Sequence, residues 1–434
     1  MRTSVPSITA FRTSLALLAI LAAAASAAHA QVAEPFPVPA GVLEGLPAEA
    51  GGTLTLAAAL ELALRANPDI RVALREREAS EGAVIQGQAR PNPSVEYLME
   101  DRRAATRTTT VQISQPIEMP GKRDARIAIA ERGRDIADIE LASRRAEIRA
   151  LVVSAFFEVL SAQERTRLAR DTVNLAERAT GAVSRRVIAG KVSPVEETRA
   201  RVAEAGVRVE LAQAQGELRI ARQRLSGLWG NPLPRFERAQ GDVDALPPVP
   251  SVDLLRQRIE ASPVLHRATL EITRRASITA LERARRIPDP SITLGVKRAE
   301  ELGRDQVLLG VSIPIPVLDS NRGSLLEALK REDKARDELG ALQVRLTGDV
   351  LQARERLGNS RLELESLQRD VLPGAELAYD KAGKGFELGK FGFLDVLDAQ
   401  RTLFQARRQY LRALSDSHGA AAEIDRLLAD RTSE

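Results

Sequence analysis

Few side chains here stand where they could do chemistry. The most suggestive are two acids in the stretch Gly389-Lys390-Phe391-Gly392-Phe393-Leu394-Asp395-Val396-Leu397-Asp398. A spacing of three puts Asp395 and Asp398 on one face of a helix. Repeated around an axis, such acids form a ring that favours cations in a narrow pore. A plainer role competes with this one, because acids in the first turn of a helix complement its dipole. An earlier stretch, Gly190-Lys191-Val192-Ser193-Pro194-Val195-Glu196, is a weaker copy. Both open with Gly-Lys and place an acid six residues after the Gly, so Glu196 matches Asp395.

The remaining inventory excludes more than it offers. There is no Cys, which rules out disulfides, thiolate metal sites, cysteine nucleophiles and a lipid anchor on an N-terminal cysteine. His266 and His418 are the histidines beyond the leader, and both are expected at the surface. Met99 and Met119 cannot make a methionine metal track. No paired-histidine, phosphate-loop or nucleophile motif appears. The expectation is a chain that is not an enzyme, with no catalytic residues, no cofactor and no tight metal site.

The elements around the two turns explain why acids stand there. The chain has 434 residues, 28% charged and only 3% aromatic. Ala, Leu, Arg and Glu dominate, as in long packed helices. The net charge is +4, and two of those charges, Arg2 and Arg12, belong to the leader. Basic residues are interleaved with acids, which marks solvated helix faces rather than nucleic-acid binding. Residues 1–30 read as a signal peptide: basic start, apolar core from Leu15 to Ala25, and Ala28-His29-Ala30 before the cleavage point. The competing reading, a membrane anchor, needs a longer core.

Residues 31–52 are Pro-, Ala- and Gly-rich and read as irregular. A helix is predicted from Thr53 to about Ala89, ending at Pro91 and Pro93. The period then drops to two. Val95, Tyr97 and Met99 alternate with Ser94, Glu96 and Leu98, and Thr109, Val111 and Ile113 alternate with Thr110, Gln112 and Ser114. Two strands over about 93–116 have the length of tilted bilayer-spanning strands. The motif Gln115-Pro116-Ile117-Glu118-Met119-Pro120-Gly121-Lys122-Arg123 closes the second. A helix from about Arg123 to Ala189 follows, ~100 Å long at ~1.5 Å per residue. After the turn at 190–194 a shorter helix runs from Ser193 to about Trp229, and 231–250 read as a Pro-rich linker.

The order then repeats. Ala261-Ser262-Pro263 echoes Ala66-Asn67-Pro68, and Pro288-Asp289-Pro290-Ser291-Ile292 echoes Pro91-Asn92-Pro93-Ser94-Val95. The shift grows from 195 to 199 residues along the chain. Residues 53–230 and 251–434 thus read as two copies of one unit, the second with strands over about 291–314 and a turn at 389–394. Four isolated strands cannot stand in a bilayer, because their edge groups would meet hydrocarbon. Three chains would give twelve strands, within the range of known barrels. The fold expected is therefore mainly α with a small transmembrane β-barrel: an internally duplicated chain, four strands each, whose trimer makes a 12-stranded barrel and an α-helical tunnel.

With the paired turns and duplicated strand pairs in view, the mature chain resembles the TolC-like outer-membrane efflux protein family over nearly its whole length. Gln115-Pro116-Ile117-Glu118 followed by Gly121-Lys122-Arg123 is most similar to the heavy-metal (cobalt-zinc-cadmium type) efflux branch. The resemblance implies a homotrimer in outer-membrane lipid with a long periplasmic extension. Its partners would be a periplasmic adaptor (membrane fusion protein) and an inner-membrane pump of the RND type. It implies that Asp395, Asp398 and Glu196 narrow the periplasmic entrance. It also implies that Gly190, Lys191, Val192, Ser193, Pro194 and Gly389 through Leu394 meet the adaptor. Phe386 and Phe391 stand where relatives can carry polar latch groups, so an apolar closure is the alternative. The function expected is a passive exit duct for heavy-metal cations. The alternatives are the same conduit for drugs or organic toxins, and a non-channel periplasmic coiled-coil protein.

Overall fold

The computed structural model describes residues 51–242, 246–388 and 390–429, with the side chains of Glu387, Phe393 and Leu394 outside the described set. The signal segment, residues 31–50 and Gly389 lie outside the described residues.

The first unit does not begin as one helix. Strand β1 (Gly52–Thr55) leads into α1 (Leu56–Ala66), and α2 (Pro68–Gln88) starts afresh at Asn67. Proline at the first position of α2 lacks an N–H that would be orphaned there anyway. The buried Asn67 caps it, its Oδ1 accepting from the Ile70 N–H at 3.0 Å while Nδ2 donates to Leu228 O at 2.8 Å. Ser262 does the same in the second unit, between α5 (Val252–Glu260) and α6 (Pro263–Ala284). The predicted single helix over 53–89 is thus corrected to a strand and two helices.

Strands β2 (Ser94–Glu100) and β3 (Thr108–Pro116) form a hairpin, then α3 (Lys122–Ile188) runs unbroken for 67 residues. Helix α4 (Pro194–Gly227) returns alongside it. The region expected to be only a linker holds β4 (Phe236–Gln240), which pairs parallel with β1. In the second unit β5 (Ser291–Ala299) and β6 (Arg304–Ser312) form the hairpin. Here the long helix is interrupted, a difference from expectation. It runs as α7 (Arg322–Ser366), one π-helical turn (Leu367–Val371) and α8 (Leu372–Glu387). Pro373 explains the break, since it has no N–H to donate and its ring clashes with the preceding turn. Helix α9 (Phe393–Leu428) completes the chain's described part.

The four hairpin strands form one antiparallel sheet in the order β2-β3-β5-β6, so β2 and β6 each lack a second neighbour. Their register sorts the side chains cleanly. Val95, Tyr97, Met99, Val111, Ile113, Ile292, Leu294, Val296, Val307, Leu309 and Val311 share one face across paired positions. Most are exposed, Val307 by 80% and Leu309 by 75%. The opposite face carries Glu96, Gln112, Ser114, Thr293, Lys297 and Gln306, with Leu98 and Leu308 its larger apolar members. There Gln112 donates to Glu96 at 2.6 Å, and Lys297 lies 3.7 Å from Glu100.

The core is strung along the helices as separate clusters rather than gathered in one place. The largest packs Phe156, Val152, Leu225, Trp229 and Phe236 where α1, α3 and α4 meet the β1–β4 pair. Leu255, Val350, Leu357 and Leu428 fill a second, and Leu364, Leu367, Leu411 and Leu414 a third. Each buried large side chain contributes about 1.5–3 kcal/mol. Small Ala fills the remaining contacts and lets the helices approach closely, which is why so few aromatics are needed. No described helix is long and apolar enough to cross a membrane.

Candidate functional site

The two helical turns lie together at one end of the bundle. At the first, Gly190 adopts φ +66°, a left-handed conformation that ends α3, and its N–H and that of Lys191 close on Val187 O and Arg186 O at 2.9 Å. Ser193 then caps α4 through Oγ, with Pro194 first in the helix. Gly190, Lys191, Ser193 and Pro194 are exposed, whereas Val192 is half-buried against Val183 and Ala200. Glu196 sits in the first turn of α4 with Arg199 at 3.2 Å. The next acid, Glu197, accepts from Arg201 and Ser184, and these bonds, Arg201's first, hold its carboxyl below the usual range.

At the second turn Lys390 N–H donates to Gly385 O at 2.8 Å. Lys390, Phe391 and Gly392 are exposed, and Phe393 and Leu394 open α9. The Phe391 ring lies so close over Gly385 that any added Cβ would strike it, which accounts for glycine there. Asp395 and Asp398 are both exposed. Asp395 accepts the Gly392 N–H at 2.8 Å, so it caps α9 as well as standing at the tip.

One contact joins the two hairpins at this end. Arg186 donates to Phe386 O at 3.0 Å, and its guanidinium carbon lies 4.3 Å from the Phe386 ring centroid. Such a cation–π contact is worth about 0.5–1 kcal/mol at an exposed site. Phe386 and Leu397 pack with Val183 and Val187 beneath it. Phe386 is therefore an apolar body with a charged partner, and Arg186, four residues before Gly190, is a tip residue that sequence reasoning did not single out. A cation that close to a helix-ending glycine was the available signal.

A second assembly ties sheet to helix. Asp289, before β5, accepts from the Met119 N–H and the Lys122 ammonium, each at 2.7 Å, and Lys122 is buried. Ile117 N–H donates to Pro290 O at 2.8 Å. Arg126 pairs with Glu118 and donates to Ala89 O, while Arg123 donates to Gln88 O at 3.0 Å. These arginines satisfy the last carbonyls of α2, which no helical N–H reaches. The motif from Gln115 to Arg123 is thus a joint that holds two units together, with each charged group answered.

Among the described residues no group of three His, Asp or Glu could hold a metal. His266 is exposed as expected, but His418 is not. It is buried in α9 and stacked on Phe157 with ring centroids 3.4 Å apart, because its helix face turns inward there.

The chain matches the family described as outer membrane efflux protein twice, over residues 59–231 and 254–430. It is 48% identical over 382 residues to the cobalt-zinc-cadmium resistance protein CzcC of Cupriavidus metallidurans, covering 88% of this chain and 91% of that one. It is 26% identical over 292 residues to the nickel-cobalt-cadmium resistance protein NccC of Alcaligenes xylosoxydans, covering 66% of each. Among solved structures, the open-state MtrE outer membrane channel of Neisseria gonorrhoeae superposes with a TM-score of 0.74 at 19% identity, over 86% of this chain and 88% of that one. Structures of CusC, described for transmembrane channel formation, give 0.72 at 18% identity over 86% and 91%. On the two family matches and the fold they share, the chain belongs to the outer membrane efflux protein family, whose members are channels of the outer membrane and not enzymes.

Proposed function

We propose that this chain is the exit duct of a tripartite system that expels heavy-metal cations. The observation that carries the reading is the two-faced sheet with two open edges. Its apolar face suits lipid and its polar face suits a water-filled lumen. Edges at β2 and β6 must be paired in hydrocarbon. Three copies pair them all, giving a closed 12-stranded barrel and a helical tunnel. Residues 53–230 and 251–434 are read as two copies of one unit. Supporting this, Arg208 bonds Glu177 at 2.9 Å and Arg407 bonds Glu376 at 2.9 Å, each pair the other's image 199 residues along. Metals as cargo rest on the similarity to the resistance proteins named above.

The tip turns are read as the contact for a periplasmic adaptor, which links the duct to an inner-membrane RND-type pump. Both lysine side chains there are exposed and make no ion pair or hydrogen bond among the described residues. Deleting the protein is expected to sensitise cells to zinc, cadmium or cobalt salts, and Lys191→Glu with Lys390→Glu to fail to restore growth while the trimer persists. Sensitivity to dyes and antibiotics alone would sink the metal assignment and keep the channel.

Asp395 and Asp398, with Glu196 behind them, are read as the acids at the periplasmic mouth. Asp395→Asn with Asp398→Asn is expected to lower cation-over-anion permeability severalfold in planar bilayers. Asn still caps a helix, so α9 is kept. Unchanged selectivity would leave Asp395 as a cap and nothing more.

A further inference from the structure

We infer that the joint between β6 and α7 is a headgroup site for an anionic glycerophospholipid of the periplasmic leaflet. The inference rests on the barrel reading above. A cleft of about 190 Å³ opens there, lined by Arg285, Arg286, Asp319, Ser320 and Asn321. Pro288 and Pro316 wall it. Its charges are unevenly engaged. Arg285 is held by Glu282 at 2.6 Å, and Asp319 accepts the Asn321 N–H at 2.9 Å. Arg286 is exposed, and its side chain makes no ion pair or hydrogen bond among the described residues. At the equivalent joint of the first unit Lys122, Arg123 and Arg126 are all used internally, and Arg90 is the exposed cation without an ion pair among the described residues.

The surroundings name the class of ligand. The apolar face of the sheet does not stop at the end of β6. It continues through Ile313, Ile315, Val317 and Leu318, exposed by 60, 80, 79 and 101%, with Ile287 beside the arginines. A free guanidinium at the end of an apolar belt fits a phosphodiester whose acyl chains lie along that belt. The start of α7, where Asn321 adopts a left-handed conformation and makes no side-chain cap, adds to the positive field. The cleft would supply a non-covalent hold at this level of the membrane.

The test uses the full-length trimer extracted in detergent and titrated with palmitoyl-oleoyl phosphatidylglycerol under native mass spectrometry. Up to one lipid per chain is expected, with phosphatidylcholine retained more weakly. Arg285→Gln with Arg286→Gln is expected to weaken retention about tenfold, and the neighbouring Arg283→Gln to leave it unchanged. Equal retention by the double variant overturns the proposal, as does displacement by inorganic phosphate at matching concentration. Because the chain has no Cys, a fluorophore on Leu318→Cys is unique, and brominated phosphatidylglycerol is expected to quench it. Absence of quenching in an intact trimer overturns the site alone, whereas absence of the trimer overturns the barrel reading with it.

Discussion

Gly295→Ala is expected to abolish assembly in the outer membrane, while Gly310→Ala is tolerated. Gly295 lies in β5 opposite Gln112 of β3, on the polar face of the sheet. A Cβ there would sit 2.7 Å from both Val111 O and Gln112 Cβ. The carbonyl belongs to the β3–β5 ladder, so it cannot withdraw without breaking the one join between the two hairpins. Overpacking of this kind costs about 1–3 kcal/mol where side chains yield, and here backbone must yield instead. Gly310 in β6 meets only Thr293 Cβ at 3.8 Å, an ordinary contact. Semi-native gels, on which the proposed trimer would run as a heat-modifiable band, read the difference. Equal trimer from both variants would show that β3 and β5 are further apart than described.

The second large effect is expected at Asp289. Asp289→Ala leaves the Lys122 ammonium buried with no counter-charge and the Met119 N–H with no acceptor. Removing one partner of a buried pair costs about 3–5 kcal/mol; with the carboxylate a third exposed, about 2–3 kcal/mol is expected. The pair is also sensitive to acid. Burial pushes the Asp289 carboxyl up, but the Lys122 hydrogen bond, the Met119 amide and the nearby Lys122 and Arg126 charges outweigh it and hold the value low. A depressed carboxyl stabilises fully above its unfolded value, about 4, and the contribution fades as pH falls through the folded value. The protein's dissociation temperature on semi-native gels should therefore drop in the variant at pH 7 and approach that of wild type as the pH falls below about 4. Identical temperatures at pH 7 would remove the joint from the account of stability.

Much of the architecture was legible because its signals are long. A 67-residue helix between Lys122 and Ile188 and strands of strict alternation survive local noise. Short signals were not. Strand β1 has four residues, and its partner β4 lies far along the chain, so pairing rather than pattern creates both. The break at Asn67 was written in Ala-Asn-Pro, a cap followed by proline, yet the apolar spacing continued across it. His418 was judged by residue type, whereas Phe157 across the helix pair decides its burial. At the tip the acids were legible and their surroundings were not. Asp395 could be placed in a first turn from spacing, but Arg186 reaches Phe386 only through a contact 200 residues apart in sequence. The motif ending in Lys122 and Arg123 carried a family signal whose physical content, the buried Asp289 contact, needed the fold.

The π turn gives the two units different phases. Leu168-Ala-Arg-Asp-Thr-Val-Asn-Leu-Ala-Glu177 aligns with Leu367-Gln-Arg-Asp-Val-Leu-Pro-Gly-Ala-Glu376, with no residue gained or lost. Only the second has the π turn, where Leu372 N–H reaches back five residues to Leu367 O. Widening the ladder from four residues to five retards the rotation of everything below it. The lower hairpin of the second unit is therefore twisted about its own axis relative to that of the first. In the trimer proposed above, six hairpins around a threefold axis would then alternate in orientation like teeth of two gauges. In that proposed trimer, a ring that duplication alone would make sixfold would be threefold before any partner arrives.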